Sequence, residues 1–249
     1  MVNLQDLTKL KEFKLGLNAK RVGGGGGNRT PQANIEPGTY PARLVQIIDL
    51  GLQAQRPYQG KDKPPAQEIM LTYELVDTFM LDENGEELVD KPRWISETLP
   101  FYGLYADKAK STQRYNAIDP NGDFDGDFTK AIGQPINVTI VNNAVGDKVY
   151  DNIATISAMR PRDADKCPEL VNPSKLFDLD APDLEVFNAL PEWLRDKIKT
   201  NLNYKGSALE QALAGGGDRP RSAPAKAAKP APKPEPADAD EGDGDNNPF

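Results

Sequence analysis

Gln67-Glu-Ile69-Met-Leu71-Thr-Tyr73-Glu-Leu75-Val-Asp77-Thr-Phe79-Met80 alternates well. Ile69, Leu71, Tyr73 and Leu75 fall on one side of an extended chain, and Met70, Thr72, Glu74 and Val76 on the other. A period of two with one apolar side is the signature of a half-buried strand. Downstream, Asp82-Glu-Asn84-Gly85-Glu carries the Asn-Gly dipeptide of a tight hairpin. Lys91-Pro-Arg93-Trp94-Ile95-Ser96-Glu-Thr98-Leu99 then returns as the partner strand. Upstream, the β-branched run from Gly38 to Asp49 predicts a long first strand. It is separated from the second by Gln53 to Pro65, a polar, proline-broken loop with Arg56, Tyr58, Lys61 and Lys63 in it.

Beyond the hairpin, residues 106–118 have helix composition and should stop at Asp119-Pro120. Pro135 to Val141 and Lys148 to Ile156 alternate again on either side of a turn at Asn142 to Asp147. The order of two or three strands, one helix and two strands predicts a mainly β fold, a five-stranded Greek-key barrel of the OB type with one central helix. A generic antiparallel sandwich is the rival and has no place for that helix. Residues 163–180 read as loop. Pro182 to Leu190 and Pro191 to Ile198 read as short helices with proline in the first turn, and Ser207-Ala-Leu-Glu210 as a capping box. Trp193, Leu190, Leu194 and Ile198 are spaced as a core-facing stripe.

The expected organisation is an N-terminal arm over 1–34, a binding domain over 35–162, a helical extension packed on it over 163–214, and a disordered tether with acidic tail over 215–249. The arm carries Leu4, Leu7 and Leu10 with Lys9, Lys11 and Lys14, and suits either a basic strap or a short packed helix. Gly23 to Gly27 is a flexible linker, since a phosphate loop requires Gly-Lys-Ser/Thr opening a helix. The segment from Gly215 to Pro236, rich in Gly, Ala, Pro and Lys, reads as a tether.

With 249 residues, 38% of them apolar and only 7% aromatic, the chain holds one ordinary core plus substantial polar sequence. It contains no histidine and one cysteine, Cys167, which sets aside His-based triads, zinc sites and an internal disulfide. The lack of a long apolar run or an apolar leader at Met1 to Leu7 predicts a cytoplasmic protein. Net charge is −8, and Glu235, Asp238, Asp240, Glu241, Asp243 and Asp245 supply six of those negatives. The rest of the chain is nearly balanced and able to carry a basic face.

Catalytic constellations are weak. Asn121-Gly-Asp123-Phe-Asp125-Gly126-Asp127 mimics the first half of a calcium loop, but Ile132 stands where a bidentate glutamate is required. The same carboxylates with Asp119 provide the alternative of a Mg²⁺-dependent nuclease; an ordinary turn is the simpler reading. No catalytic residue, metal site or cofactor is expected. Binding is better represented, because single-stranded nucleic acid is held by a basic groove with interleaved aromatic faces. Arg43, Arg56, Tyr58, Lys61, Lys63, Arg93, Trp94, Tyr102, Tyr105, Lys108, Lys110 and Arg114 are the candidate DNA contacts. Tyr73, Phe101 and Tyr150 are expected in the core.

The acidic end, with Asp238, Asp240, Glu241, Asp243 and Asp245 running into Pro248-Phe249, resembles the tip of single-stranded DNA-binding proteins. Taken with the strand order, the basic first loop, Val149-Tyr150-Asp-Asn-Ile153-Ala and Asp107-Lys108-Ala-Lys110-Ser, the chain resembles those encoded by bacteriophages. The resemblance implies a protein of the host cell cytoplasm that coats single-stranded DNA with little sequence specificity in replication, recombination and repair. It further implies that the tail, through Phe249, docks replication and recombination proteins. A third expectation, independent of nucleic acid, is an interaction adaptor whose sheet binds protein and whose acidic end is only a solubiliser.

Overall fold

The computed structural model describes residues 32–57 and 59–215, which fall in one compact unit ending at Gly215. The strands are β1 (Gly38–Gln53), β2 (Ala66–Leu81), β3 (Glu87–Pro100), β4 (Pro135–Val145), β5 (Lys148–Ala158) and β6 (Lys175–Phe177). The helices are α1 (Lys110–Ile118), α2 (Pro161–Ala164), α3 (Leu184–Asn188), α4 (Glu192–Lys199) and α5 (Ala208–Ala214), with a 3₁₀ turn over Phe128–Ala131. The arm before Gln32, Tyr58 and the tail after Gly215 lie outside the described residues.

Hydrogen bonding orders the sheet β3-β2-β1-β4-β5, all antiparallel, and β6 adds to β1 in parallel through Gln46↔Lys175 to Ile48↔Phe177. The hairpins form where the turn residues allow them. Gly85 takes φ +84°, and the Asp82 carboxylate accepts from the amides of Asn84 and Glu86 at 2.7 and 2.9 Å. Between β4 and β5 the two-residue turn at Gly146-Asp147 follows the pair Val145↔Lys148.

The expected closed five-stranded OB-type barrel is corrected. This is a mixed α/β fold with an open six-stranded sheet. Its two ends, β3 and β5, share no ladder among the described residues, and are linked by an ion pair between Arg93 and Asp151 at 3.7 Å. Alternation in sequence reports that strands pair and does not report whether the outermost ones meet.

Burial gives the deeper reason. A barrel has one interior, yet β1 and β2 are covered on both sides. One face packs Leu44, Ile47, Leu71, Tyr73 and Leu75 against Tyr115 of α1, Phe128 and the β4 residues Ile136 and Val138. The other packs Ile48, Leu50 and Met70 against Phe177, Phe187, Leu190, Leu194, Ile198 and Leu209 of the C-terminal segment. Strands buried on both faces read as near-continuous apolar runs, which explains why β1 is buried without interruption from Ala42 to Ile48. Register shifts at Leu44/Gln46 and Asp49/Gly51 accommodate the extra residues Val45 and Leu50 as bulges. The half-buried character expected for β2 is corrected likewise, since Thr72 and Glu74 are as buried as Tyr73.

The C-terminal segment holds more structure than its composition announces. Residues 163–180 contain β6. At α5 one half of the capping box forms, with the Glu210 amide donating to Ser207 Oγ at 3.2 Å, while Glu210 Oε2 accepts from the Gly206 amide at 2.6 Å and the Ser207 amide donates to Tyr204 O instead. In α4, Leu194 and Ile198 face the core as expected. Trp193 does not; it is largely exposed, because the short helix turns only one narrow stripe toward the sheet.

Candidate binding surface

The end of the sheet where β1 passes to β2 collects most of the exposed candidates. Gln53 pairs with Ala66, and the Phe101 amide donates to Gln67 O at 2.6 Å. The β1–β2 loop with Arg56, Lys61 and Lys63 and the β3–α1 loop with Tyr102 and Tyr105 therefore leave the sheet at the same end.

The β3–α1 loop is Phe101-Tyr102-Gly103-Leu104-Tyr105. Its backbone is pinned: the Tyr102 amide donates to Ser111 Oγ at 3.1 Å, and the Ala106 amide to Gly103 O at 2.9 Å. Phe101 meets the ring of Phe128 edge-on at 5.9 Å, and a Cβ at Gly103 would come within 2.4 Å of the Tyr105 ring. On this fixed backbone four large apolar side chains are exposed, with Tyr102 at 46% and Tyr105 at 90%. Lys108 and Lys110, both exposed, follow in the next turn. Phe101 was expected in the core and is more than a third exposed; Tyr150, expected there too, is about half exposed on β5. Tyr73 is fully buried.

Three of the candidate arginines are committed within the domain. Arg43 is buried and donates to Pro168 O and Gly133 O at 2.6 Å each, to Cys167 O at 2.9 Å and to Glu169 at 3.1 Å. It ties the segment after α2 to β1. Arg114 is buried and donates to both oxygens of Glu97 at 2.7 and 3.0 Å. Arg93 donates to Ala33 O at 2.7 Å, besides its pairing with Asp151. Trp94 is partly exposed, but its Nε1 donates to the buried Glu74 at 2.9 Å. The same carboxylate accepts from the amides of Val171 and Asn172 and from Asn172 Nδ2. The structure therefore brings Tyr102, Tyr105, Lys108 and Lys110 together on one stretch, sets Arg56, Lys61 and Lys63 at the same end, and places Arg43, Arg93, Trp94 and Arg114 in internal networks.

The acidic loop is structural. Asp119 accepts from the amides of Asp123 and Phe124 at 2.8 and 2.9 Å and from the Tyr115 hydroxyl at 3.0 Å. Burial opposes its ionisation, but these donors outweigh that and hold its pKa below the ordinary carboxylate range. Asp127 is held low by the Thr129 hydroxyl and amide, and it caps the 3₁₀ turn. Burial raises the Cys167 thiol above its usual value, despite the nearby Arg43 guanidinium, so the thiolate nucleophile is disfavoured there.

Sequence reasoning missed Phe101 and Leu104, and the acidic residues Asp49, Asp178 and Asp180 that border a cleft beside Phe101. The signal for the first two was present: four large apolar residues in five, with neither a strand nor a helix period, just ahead of a helix. For the acids there was none, because they come from β1 and the distant segment after β6.

The fold defines an open-sheet α/β domain with an aromatic loop at one end. No family model matches the chain, and no curated protein matches it. The resemblance to bacteriophage single-stranded DNA-binding proteins is accordingly corrected: the closed barrel it implies is absent, and nothing supports the lineage. The DNA-coating function rested on that barrel and is withdrawn with it. The nuclease alternative is withdrawn too, since no group of three or more acidic or cysteine side chains among the described residues is placed to hold a metal ion.

Proposed function

We propose that the protein is an interaction adaptor without catalytic activity of its own, whose aromatic β3–α1 loop is the contact point for a partner protein. The observation that carries this reading is the exposure of Phe101, Tyr102, Leu104 and Tyr105 on a backbone fixed from both sides. Tyrosine and other aromatics on a rigid loop lose little conformational entropy on binding and dominate interface energetics. An exposed apolar cluster with a polar rim is the usual mark of a protein contact. The proposal places the adaptor in the cytoplasm; among the described residues no helix is long and apolar enough to cross a membrane.

The test is site-specific photocrosslinking of the full chain in the cells that make it. A benzophenone side chain at position 105 is expected to trap a discrete partner that the same group at the exposed position 89 of β3 does not. Identical patterns at the two positions would sink the proposal. So would tight, Tyr105-dependent binding of a fluorescent oligo-dT with no protein adduct.

A further inference from the structure

The charges around the aromatic β3–α1 loop are unevenly distributed. Lys108 and Lys110 follow it directly, and the β1–β2 loop at the same end of the sheet adds Arg56 and Lys61, all four exposed. None of the four makes an ion pair among the described residues. With Lys63, and against Asp62 and Asp107, the two loops hold five cations and two acids. No carboxylate compensates them from the helix, since α1 has neither an acidic residue in its first turn nor a side-chain cap. Leu104 borders charge of the other sign: its Cδ1 lies 3.3 Å from where a Cβ at Gly126 would stand, in the turn that exposes Asp123 and Asp125. We infer that the partner segment seated on this loop is an acidic peptide with apolar anchors, its apolar side chains covering Tyr102, Leu104 and Tyr105 and its carboxylates pairing with Lys108 and Lys110.

The two kinds of contact do different work. Exposed ion pairs contribute little affinity each, so the aromatic and aliphatic side chains must hold the segment, while the lysines select its charge and speed its approach. A basic segment would meet uncompensated cations and be repelled. Nucleic acid shares the negative charge, but it carries a phosphate at every nucleotide and would lay some of them beside Asp123 and Asp125. Leu104, at the middle of the exposed cluster, also lacks the aromatic face on which a base stacks. A peptide meets neither obstacle, because it can set carboxylates over Lys108 and Lys110 and uncharged side chains over Leu104.

The inference rests on the adaptor reading for its ligand being a protein segment, and its test is separate. Full-length, ¹⁵N-labelled protein is titrated with the peptide acetyl-Asp-Leu-Asp-Phe-Asp-amide and followed by NMR. Saturable shifts at the Gly103, Tyr105 and Lys108 amides are expected, weakening with added salt. The double variant Lys108→Gln, Lys110→Gln changes two exposed side chains, and a fall in affinity of roughly tenfold is expected from the loss of two ion-pair contacts; Lys108→Arg, Lys110→Arg should keep the parent affinity. Absence of saturation, equal affinity for acetyl-Lys-Leu-Lys-Phe-Lys-amide, or an unchanged glutamine variant each overturn the assignment. Tighter binding of oligo-dT at the same amides overturns it as well. Crosslinking at position 105 distinguishes the two readings: an adduct on a partner segment without acidic residues keeps the adaptor and removes the acidic ligand.

Discussion

Arg114 Nε and Nη2 donate to the two oxygens of Glu97 at 2.7 and 3.0 Å, and both side chains are almost completely buried. Glu97 Oε1 also accepts from the hydroxyl of the fully buried Tyr73 at 3.1 Å. The pair locks α1 onto β3. Burial, together with the neighbouring Glu97 charge, raises the Tyr73 pKa well above its ordinary value, so the phenol stays a donor.

Removing one partner of such a pair leaves the other charged and buried. Arg114→Ala is therefore expected to destabilise the fold by about 3–5 kcal/mol. The double variant Arg114→Met, Glu97→Leu is expected to recover much of that loss, because no charge is stranded. Urea unfolding of the three proteins decides it; a double variant no more stable than Arg114→Ala would show that the pair itself, rather than the stranded charge, matters.

Gly51 has φ +77°, and a Cβ there would stand 2.7 Å from Asn201 and 2.9 Å from Leu179. Asn201 is itself held, its Nδ2 donating to Ile198 O at 2.6 Å. Gly51→Ala combines an unfavourable backbone conformation with contacts that cannot relax, and a loss of about 1–3 kcal/mol is expected. Gly85→Ala is the control. Its φ is also positive, but open space surrounds it, so thermal melts should separate backbone strain alone from strain plus clash.

The strands were legible because Leu71, Tyr73 and Leu75 keep a strict period of two, and the turns because Gly85 and Gly146 sit where positive φ is needed. The cover over the second face of β1 was not legible. Phe177 and Phe187 lie in a segment dominated by Asp and Pro, where two apolar anchors show no period. At the candidate site, Tyr102, Tyr105, Lys108 and Lys110 could be named because they are close in sequence. Arg43 and Arg114 could not be told from surface cations, since their acceptors, Cys167 to Glu169 and Glu97, are brought near only by the fold.

Acid stability should depend on Asp119. Its folded pKa is depressed, so its contribution is present above the unfolded carboxylate value, about 3.9, and is lost as pH falls through the folded value. Asp119→Asn keeps the shape but removes this titration. The variant is expected to be less stable near neutrality and to lose less stability than the parent as pH is lowered toward the acid limb. Parallel curves for the two proteins across that range would contradict the assignment. Asp49 has the opposite sign: its raised pKa means its contribution is full below the unfolded value and is lost as pH rises through the folded one.

The second face of the sheet gives the last expectation. Phe187 of α3 is fully buried, 5.6 Å from the ring of Phe177 on β6, and both pack on Ile48, Leu50 and Met70. If β1 owes its burial on both faces to this cover, the C-terminal segment is part of the same cooperative core. Phe187→Ala should then cost about 3–5 kcal/mol and lower a single unfolding transition seen by both tryptophan fluorescence and circular dichroism. Trp94 reports β3 and Trp193 reports α4, so single-tryptophan variants of the same protein extend the test. Coincident midpoints place β3 and α4 in one folding unit. An early α4 transition, with β3 unchanged, would mean that the sheet is stable without its second layer and that the exposed apolar face of β1 must be tolerated in solution.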